Sequence, residues 1–170
     1  TSADGSTPPE TLAPTTSVAP DTLPACDTAA LADVTGTVDL TFWHGMSGPL
    51  GEELDALAAA YNASQSTVKV SLVSGSYEET YDKYLNSSQA SRPDMVQLPE
   101  YTVQGIVDTE SVVPVGKCME DAAFDMTPFL PTALAAYQTQ GVQWSMPFNV
   151  SNPVLFFNKK VFEAAGLDPA

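Results

Sequence analysis

The regular pattern of the chain begins at Val38, where Val38, Leu40 and Phe42 alternate with Asp39 and Thr41. That period of two predicts a half-buried strand. Ser47-Gly48-Pro49 then offers an N-cap and a proline for a first helical turn. Leu50, Leu54, Leu57 and Tyr61 recur at helical spacing, with Glu52 and Glu53 near the positive end of the helix dipole. Val68, Val70 and Leu72 predict a second strand. Tyr77, Tyr81, Tyr84 and Leu85 share one face of a second helix, which Arg92-Pro93 must end. A third short strand is expected over Asp94–Leu98. The order β-α-β-α-β implies a parallel sheet with right-handed crossovers.

The pattern is less regular further on. Val103–Val107 reads as helical, Val112–Val115 as a short extended piece, and Phe129–Tyr137 as a helix begun near Pro128. Val142–Phe148 and Val154–Phe157 read as strands, and Lys159–Ala165 as a helix ended by Gly166. At the other end, residues 1–25 hold five prolines, many Thr and Ser, and only acidic charges. Such a segment buries too little apolar surface to offset the cost of ordering, so it reads as a linker. A membrane tether and a featureless terminus fit it equally. Asp27–Asp33 has the makings of one short helix.

Composition narrows the classes. The chain has 170 residues, 44% of them hydrophobic, enough for one compact domain with a core. It lacks an apolar run of membrane-spanning length. Six basic against 21 acidic residues give a formal charge of −15. This excludes nucleic acid and an anionic membrane surface as partners, since both need clustered Lys and Arg. A small anionic ligand stays possible, because a distant field is screened within about 8–10 Å. The charge suits solubility outside the cell. No charged segment precedes an apolar one, so a signal peptide is not visible in these residues. Leu23-Pro24-Ala25-Cys26 has the outline of a lipoprotein processing site, yet polar, proline-rich residues stand where an apolar stretch is needed. The two cysteines, Cys26 and Cys118, would be unrelated buried thiols in a cytosolic protein. In an exported one, a disulfide pinning the N-terminal segment is expected.

In an open parallel α/β sheet, ligands bind beyond the carboxyl ends of the strands. Trp43–Ser47, Ser74–Tyr77 and Pro99–Tyr101 occupy that position. Trp43 could stack on a ligand skeleton and His44 could donate to an oxyanion, or both could simply support the loop. Tyr77 opens the second helix after Gly75-Ser76, where a phenol can bond a ligand hydroxyl and helix amides favour anions. Tyrosine is also a common core residue. Glu100 can accept two hydroxyls of a polyol, or be a solvated loop acid. Ser151 and its neighbouring amides could hold a phosphate, although Asn152-Pro153 also fits a plain turn. A nucleophile elbow, a Walker loop and a metal-spaced cluster are all missing, and a single histidine with two distant cysteines excludes the usual zinc sites. No enzyme activity, cofactor or metal is therefore expected.

Two motifs carry a family resemblance. Phe42-Trp43-His44-Gly45-Met46-Ser47-Gly48 is one, and Met146-Pro147-Phe148-Asn149-Val150-Ser151-Asn152-Pro153-Val154-Leu155-Phe156-Phe157-Asn158-Lys159, continuing into Val161–Pro169, is the other. From Val38 onward the chain resembles the bacterial extracellular solute-binding proteins of ABC importers, and among them the glycerol-3-phosphate-binding branch. The resemblance implies an α/β, periplasmic-binding-protein-like (type II) lobe with a mostly parallel sheet flanked by helices, stopping where a second lobe begins. It implies a linker over 1–33, a ligand-binding lobe over 34–150 and an interlobe crossing over 151–170. Tyr77 and Glu100 would hold glycerol hydroxyls, and Ser151 would help hold the phosphate. An arginine and further phosphate-binding groups would lie in the second lobe. A neutral sugar of the same family is the alternative ligand. The implied partners are a small molecule and the permease subunits of an importer. The protein would be monomeric and located outside the cell or in its envelope, lipid-anchored through a segment beyond these residues.

Overall fold

The computed structural model describes Leu23, Cys26 and residues 28–168. The expected linker over 1–33 therefore lies largely outside the described residues, as do Asp27 and Pro169. A short 3-10 helix covers Thr28–Asp33, where the sequence reading placed a helix.

Strand β1 (Val38–His44) is followed by helix α1 (Pro49–Ser64), strand β2 (Val68–Ser74), helix α2 (Tyr77–Asn86) and strand β3 (Met95–Val96). The three strands form one parallel sheet in the order β2-β1-β3. β1 pairs with β2 over its whole length, from Val38 opposite Val68 to His44 opposite Ser74. It pairs with β3 through Phe42 opposite Met95 and Trp43 opposite Val96. The expected β-α-β-α-β unit is present, although β3 covers only part of Asp94–Leu98.

β2 is an edge strand, and its outward backbone groups need partners. Side-chain amides supply them. Asn62 of α1 accepts from the Val70 N–H and donates to the Val70 carbonyl, both at 2.8 Å. Gln65 accepts from the Val68 N–H at 2.7 Å and donates to the same residue's carbonyl at 2.5 Å. Two polar residues at the end of α1 thus close the sheet edge.

Several details differ from the sequence reading. Ser47 does not cap α1: Gly48 stands at the N-cap with φ 55°, without a side-chain cap, and Pro49 opens the helix. Of the apolar stripe on α1 only Leu54 is buried, while Leu50, Leu57 and Tyr61 are exposed. The helix lies on the edge strand of a narrow sheet, which offers little surface to cover. On α2, Tyr84 is buried and Leu85 is exposed.

The second half contains helices α3 (Val103–Val107), α4 (Val115–Asp121), α5 (Pro131–Ala136) and α6 (Lys159–Ala164), with strands β4 (Gln138–Thr139) and β5 (Val142–Gln143). α3 and α6 stand where expected, and Gly166 after α6 adopts φ 73°. α4 begins at Val115, inside the piece read as extended. α5 begins at Pro131 rather than near Pro128, because Pro131 takes the first helical position. The strand expected over Val142–Phe148 shrinks to one arm of a hairpin. Its two-residue turn, Gln140 with φ 53° and Gly141 with φ 77°, has the twist that antiparallel arms prefer. Pro147 has no N–H to extend the ladder. Val154–Phe157 is no strand: it pairs with none of the described strands and is exposed, Phe156 to 91%. An apolar run without a ladder partner has no means of satisfying its backbone as a strand.

Cys26 and Cys118 form a disulfide, with Cα atoms 5.0 Å apart and a separation of 92 positions in sequence. It ties the N-terminal segment to α4. Closing so long a loop restricts the unfolded chain by about 4–5 kcal/mol in the chain-entropy model, with measured effects typically about 2–4. Cys118→Ser should accordingly lower the melting temperature by several degrees. Dithiothreitol should lower that of the native protein to match and leave the variant unchanged; a native protein insensitive to reductant would contradict the stabilising role.

Candidate functional site

The loops after β1, β2 and β3 all emerge at the carboxyl edge of the sheet, and hydrogen bonds bind them to one another. Gly75 N–H donates to the His44 carbonyl at 3.0 Å, and Gln97 N–H to the Trp43 carbonyl at 2.8 Å. The Gly45 N–H donates to Gln97 Oε1 at 3.0 Å. Gln97 Nε2 in turn donates to Asn149 Oδ1 at 2.7 Å. The Met146–Ser151 segment is thereby joined to the same edge.

Tyr77 is the first residue of α2, behind a capping box. The Ser76 hydroxyl accepts from the Glu79 N–H at 3.1 Å, and the Glu79 carboxylate accepts from the Ser76 N–H at 3.0 Å. The bond from the Ser76 backbone, aided by its hydroxyl, holds the Glu79 carboxyl below its ordinary pKa. Fixed in this way, the Tyr77 ring lies against Gly45, filling the place where a Cβ would stand. Glycine is required there by close approach rather than by backbone twist.

Glu100 opens a 3-10 turn after Pro99, exposed to solvent, and Tyr101 beside it is 72% exposed. Tyr137 meets the segment that bears Asn149. Its ring is buried, and its hydroxyl donates to the Asn149 carbonyl at 3.5 Å. Burial foremost, then the Glu100 charge and then Tyr77, push its phenol pKa upward. Tyr77 is thus tied to the loop after β1 through Gly45, and Asn149 to the same loop through Gln97. Ser151 lies two residues beyond Asn149 and is exposed.

Trp43 and His44 are placed differently. Trp43 is 7% exposed and His44 3%, too little surface for either ring to be covered by a ligand. Lys83 Nζ sits 3.8 Å from the centroid of the Trp43 ring, a cation–π contact on one of its faces. His44 Nδ1 accepts from the Met46 N–H at 3.2 Å, and the ring packs at 5.8 Å from Phe42. As placed, both residues support the loop. The sequence reading missed Gln97 and Tyr137. Gln97 was read only as part of a strand, and Tyr137 only as the end of a helix; their partners lie 52 and 12 residues away.

A cavity of about 540 Å³ lies beneath this edge, lined by Phe42, Met95, Leu98, Ile106, Trp144 and Phe148 among others. Gln97, Tyr137 and Asn149 border it, whereas Tyr77, Glu100 and Ser151 do not. It is a mostly apolar gap that the anchoring residues of the candidate site border and its candidate ligand groups do not line. Among the described residues no His/Cys/Asp/Glu cluster could hold a metal ion.

A parallel α/β lobe with polar residues gathered at the carboxyl ends of its strands is the architecture of a small-molecule-binding domain. The chain belongs to the bacterial extracellular solute-binding protein family, whose model matches residues 47–170. It is 36% identical over 138 residues to the sn-glycerol-3-phosphate-binding periplasmic protein UgpB of Yersinia pestis bv. Antiqua (strain Antiqua), covering 77% of this chain and 31% of that protein. It is likewise 36% identical over 137 residues to the UgpB protein of Pectobacterium atrosepticum, covering 77% of this chain and 31% of that one. The chain thus spans about a third of the length of these curated relatives. Among solved structures it is similar to CpMnBP1 with mannotriose bound, at TM-score 0.58 and 28% identity over 78% of this chain and 34% of the other. It is also similar to the cyclic alpha-maltosyl-1,6-maltose binding protein of Arthrobacter globiformis, at TM-score 0.57 and 26% identity over 79% and 34% of the two chains. These relatives are binding proteins by name. No helix among the described residues is long and apolar enough to cross a membrane.

The raised Tyr137 pKa has a testable consequence. The unfolded chain releases this proton first, so the contribution to stability is complete below the ordinary value of 10.0 and is lost as pH rises through the folded value. Denaturant unfolding should show stability declining above pH 10, and Tyr137→Phe should flatten that decline. An unchanged alkaline slope in the variant would contradict the assignment.

Proposed function

We propose that this chain forms one face of the ligand cleft of an ABC-importer substrate-binding protein that takes glycerol 3-phosphate or a glycerophosphodiester. The observation that carries the reading is the hydrogen-bonded carboxyl edge of the sheet, where Tyr77 packs on Gly45, Glu100 opens the turn after β3, and Gln97 joins Gly45 to Asn149, two residues before Ser151. Relatives named as sn-glycerol-3-phosphate-binding proteins support the ligand class. Glu100 accepts from the glycerol hydroxyls, Tyr77 bonds one of them, and Ser151 donates to the phosphate. Residues 34–150 act as the lobe and 151–170 as the crossing to a second lobe, which adds the cationic phosphate contacts. Ligand held here recruits that lobe, and the closed form docks on the permease. No bond is made or broken, so the protein works as a receptor in the cell envelope and not as an enzyme.

The formal charge of −15 does not oppose an anionic ligand, since exposed charges are screened beyond about a Debye length. A second reading, a neutral oligosaccharide, draws on the neighbours solved with mannotriose and named for cyclic maltosyl-maltose. The two differ in a simple titration. In the two-lobed protein, tryptophan fluorescence should saturate with glycerol 3-phosphate and stay unchanged with maltose or mannotriose. Tyr77→Phe and Glu100→Gln should each weaken binding about 10–100-fold, the effect of losing one or two hydrogen bonds in a desolvated site. Saturation by a sugar alone would replace the phosphate reading, and undiminished affinity in Glu100→Gln would remove Glu100 from the site.

A further inference from the structure

We propose that Gln97 and Tyr137 are positioning residues that clamp Asn149, and thereby set where Ser151 lies relative to Tyr77 and Glu100. The proposal rests on the cleft described above. Gln97 is 6% exposed, and both polar atoms of its amide are committed, Oε1 to the Gly45 N–H at 3.0 Å and Nε2 to Asn149 Oδ1 at 2.7 Å. Each of the two atoms keeps a second hydrogen-bonding position, but burial puts the amide out of a ligand's reach. What it does is join the loop after β1 to the segment that leaves the lobe. An amide suits this position because it accepts on one side and donates on the other.

Asn149 is held a second time through its backbone, by the Tyr137 hydroxyl at 3.5 Å. Gly45, the other partner of Gln97, is covered by the Tyr77 ring, which places the clamp beside a candidate ligand group. None of the hydrogen bonds among the described residues reaches Val150–Phe157, and these residues are exposed. Asn149 is therefore the last tie to the sheet edge before α6 begins. Ser151 follows two residues later, at most about 7 Å along the chain. Where Asn149 is fixed, the serine hydroxyl is confined to a small volume. Where Asn149 is released, the segment is free to swing and the hydroxyl with it.

Two measurements on the two-lobed protein test this. The first needs no ligand: spin labels at Ser151→Cys and Glu78→Cys report the distance between the crossing segment and α2. The distribution should be narrow with Gln97 present and broad with Gln97→Met, which keeps the side-chain length but strands the Gly45 N–H and Asn149 Oδ1. Asn149→Asp keeps an acceptor for Gln97 and should stay narrow; Asn149→Leu should broaden it. The second is a double-mutant cycle read by glycerol 3-phosphate titration. Gln97→Met should weaken binding about 10-fold on its own and less than about 2-fold in the Ser151→Ala background, because both changes act through the same hydroxyl. Purely additive losses would mean general destabilisation and overturn the clamp, as would a label distribution that Gln97→Met leaves unchanged. Failure of the unsubstituted protein to bind glycerol 3-phosphate would instead overturn the ligand reading, with the label distances still deciding the clamp.

Discussion

The parallel pairing of β1 between β2 and β3 is the constraint on which the rest of the lobe depends. β1 fixes the register of β2 along seven residue pairs, and it alone holds β3. Parallel pairing sends the three following loops to one edge, and right-handed crossovers put the connecting helices beside them. Trp43 and His44 occupy the last two positions of β1 and are buried, so the end of the central strand is a rigid base. The backbone carbonyls of these two residues hold the next two loops. The candidate site is thus an extension of the sheet by hydrogen bonds, built on the buried end of its central strand.

The candidate ligand groups stand outside that base and are more exposed than it. Tyr77 is half-buried against Gly45, Glu100 is exposed, and Ser151 lies beyond the last hydrogen-bonded anchor. This suits a receptor that must admit a ligand before a second surface closes over it. The apolar run after Ser151 is open to solvent, Phe156 above all, and its backbone is without ladder partners among the described strands. The lobe therefore combines a fixed edge with a loosely held departing segment.

Much of this was legible in the sequence, for physical reasons that can be named. Val38–Phe42 and Val68–Leu72 alternate because one face of each strand is half-buried, so their period reveals them. Pro49 after Gly48 and Tyr77 after Gly75-Ser76 marked the starts of the two helices, which placed the loops after β1 and β2 and hence the sheet edge. The failures also share a cause. Val154–Phe157 has the composition of a strand, but strand formation requires a partner that composition does not reveal. The Gln140-Gly141 turn lacks the usual Asn or Asp at its first position, so only the second arm was read, as the start of a strand over Val142–Phe148, and Gln138–Thr139 was missed. α4 carries mixed residues between Val115 and Asp121 with no apolar period to show it. Gln97 and Tyr137 act through partners remote in sequence, and neither residue type announces such a role. Cys26 and Cys118 were readable only as two options, and the fold settles them as a disulfide.

The central claim is that Tyr77, Glu100 and Ser151 form one face of a cleft for a phosphorylated glycerol. The most direct test is a crystal structure of the two-lobed protein grown with glycerol 3-phosphate. The account predicts the ligand at the carboxyl edge of the sheet, its hydroxyls within hydrogen-bond distance of Tyr77 and Glu100, and a phosphate oxygen on the Ser151 hydroxyl. A ligand lodged instead in the apolar cavity beneath the loops, or bound without contact to Tyr77 and Glu100, would contradict it.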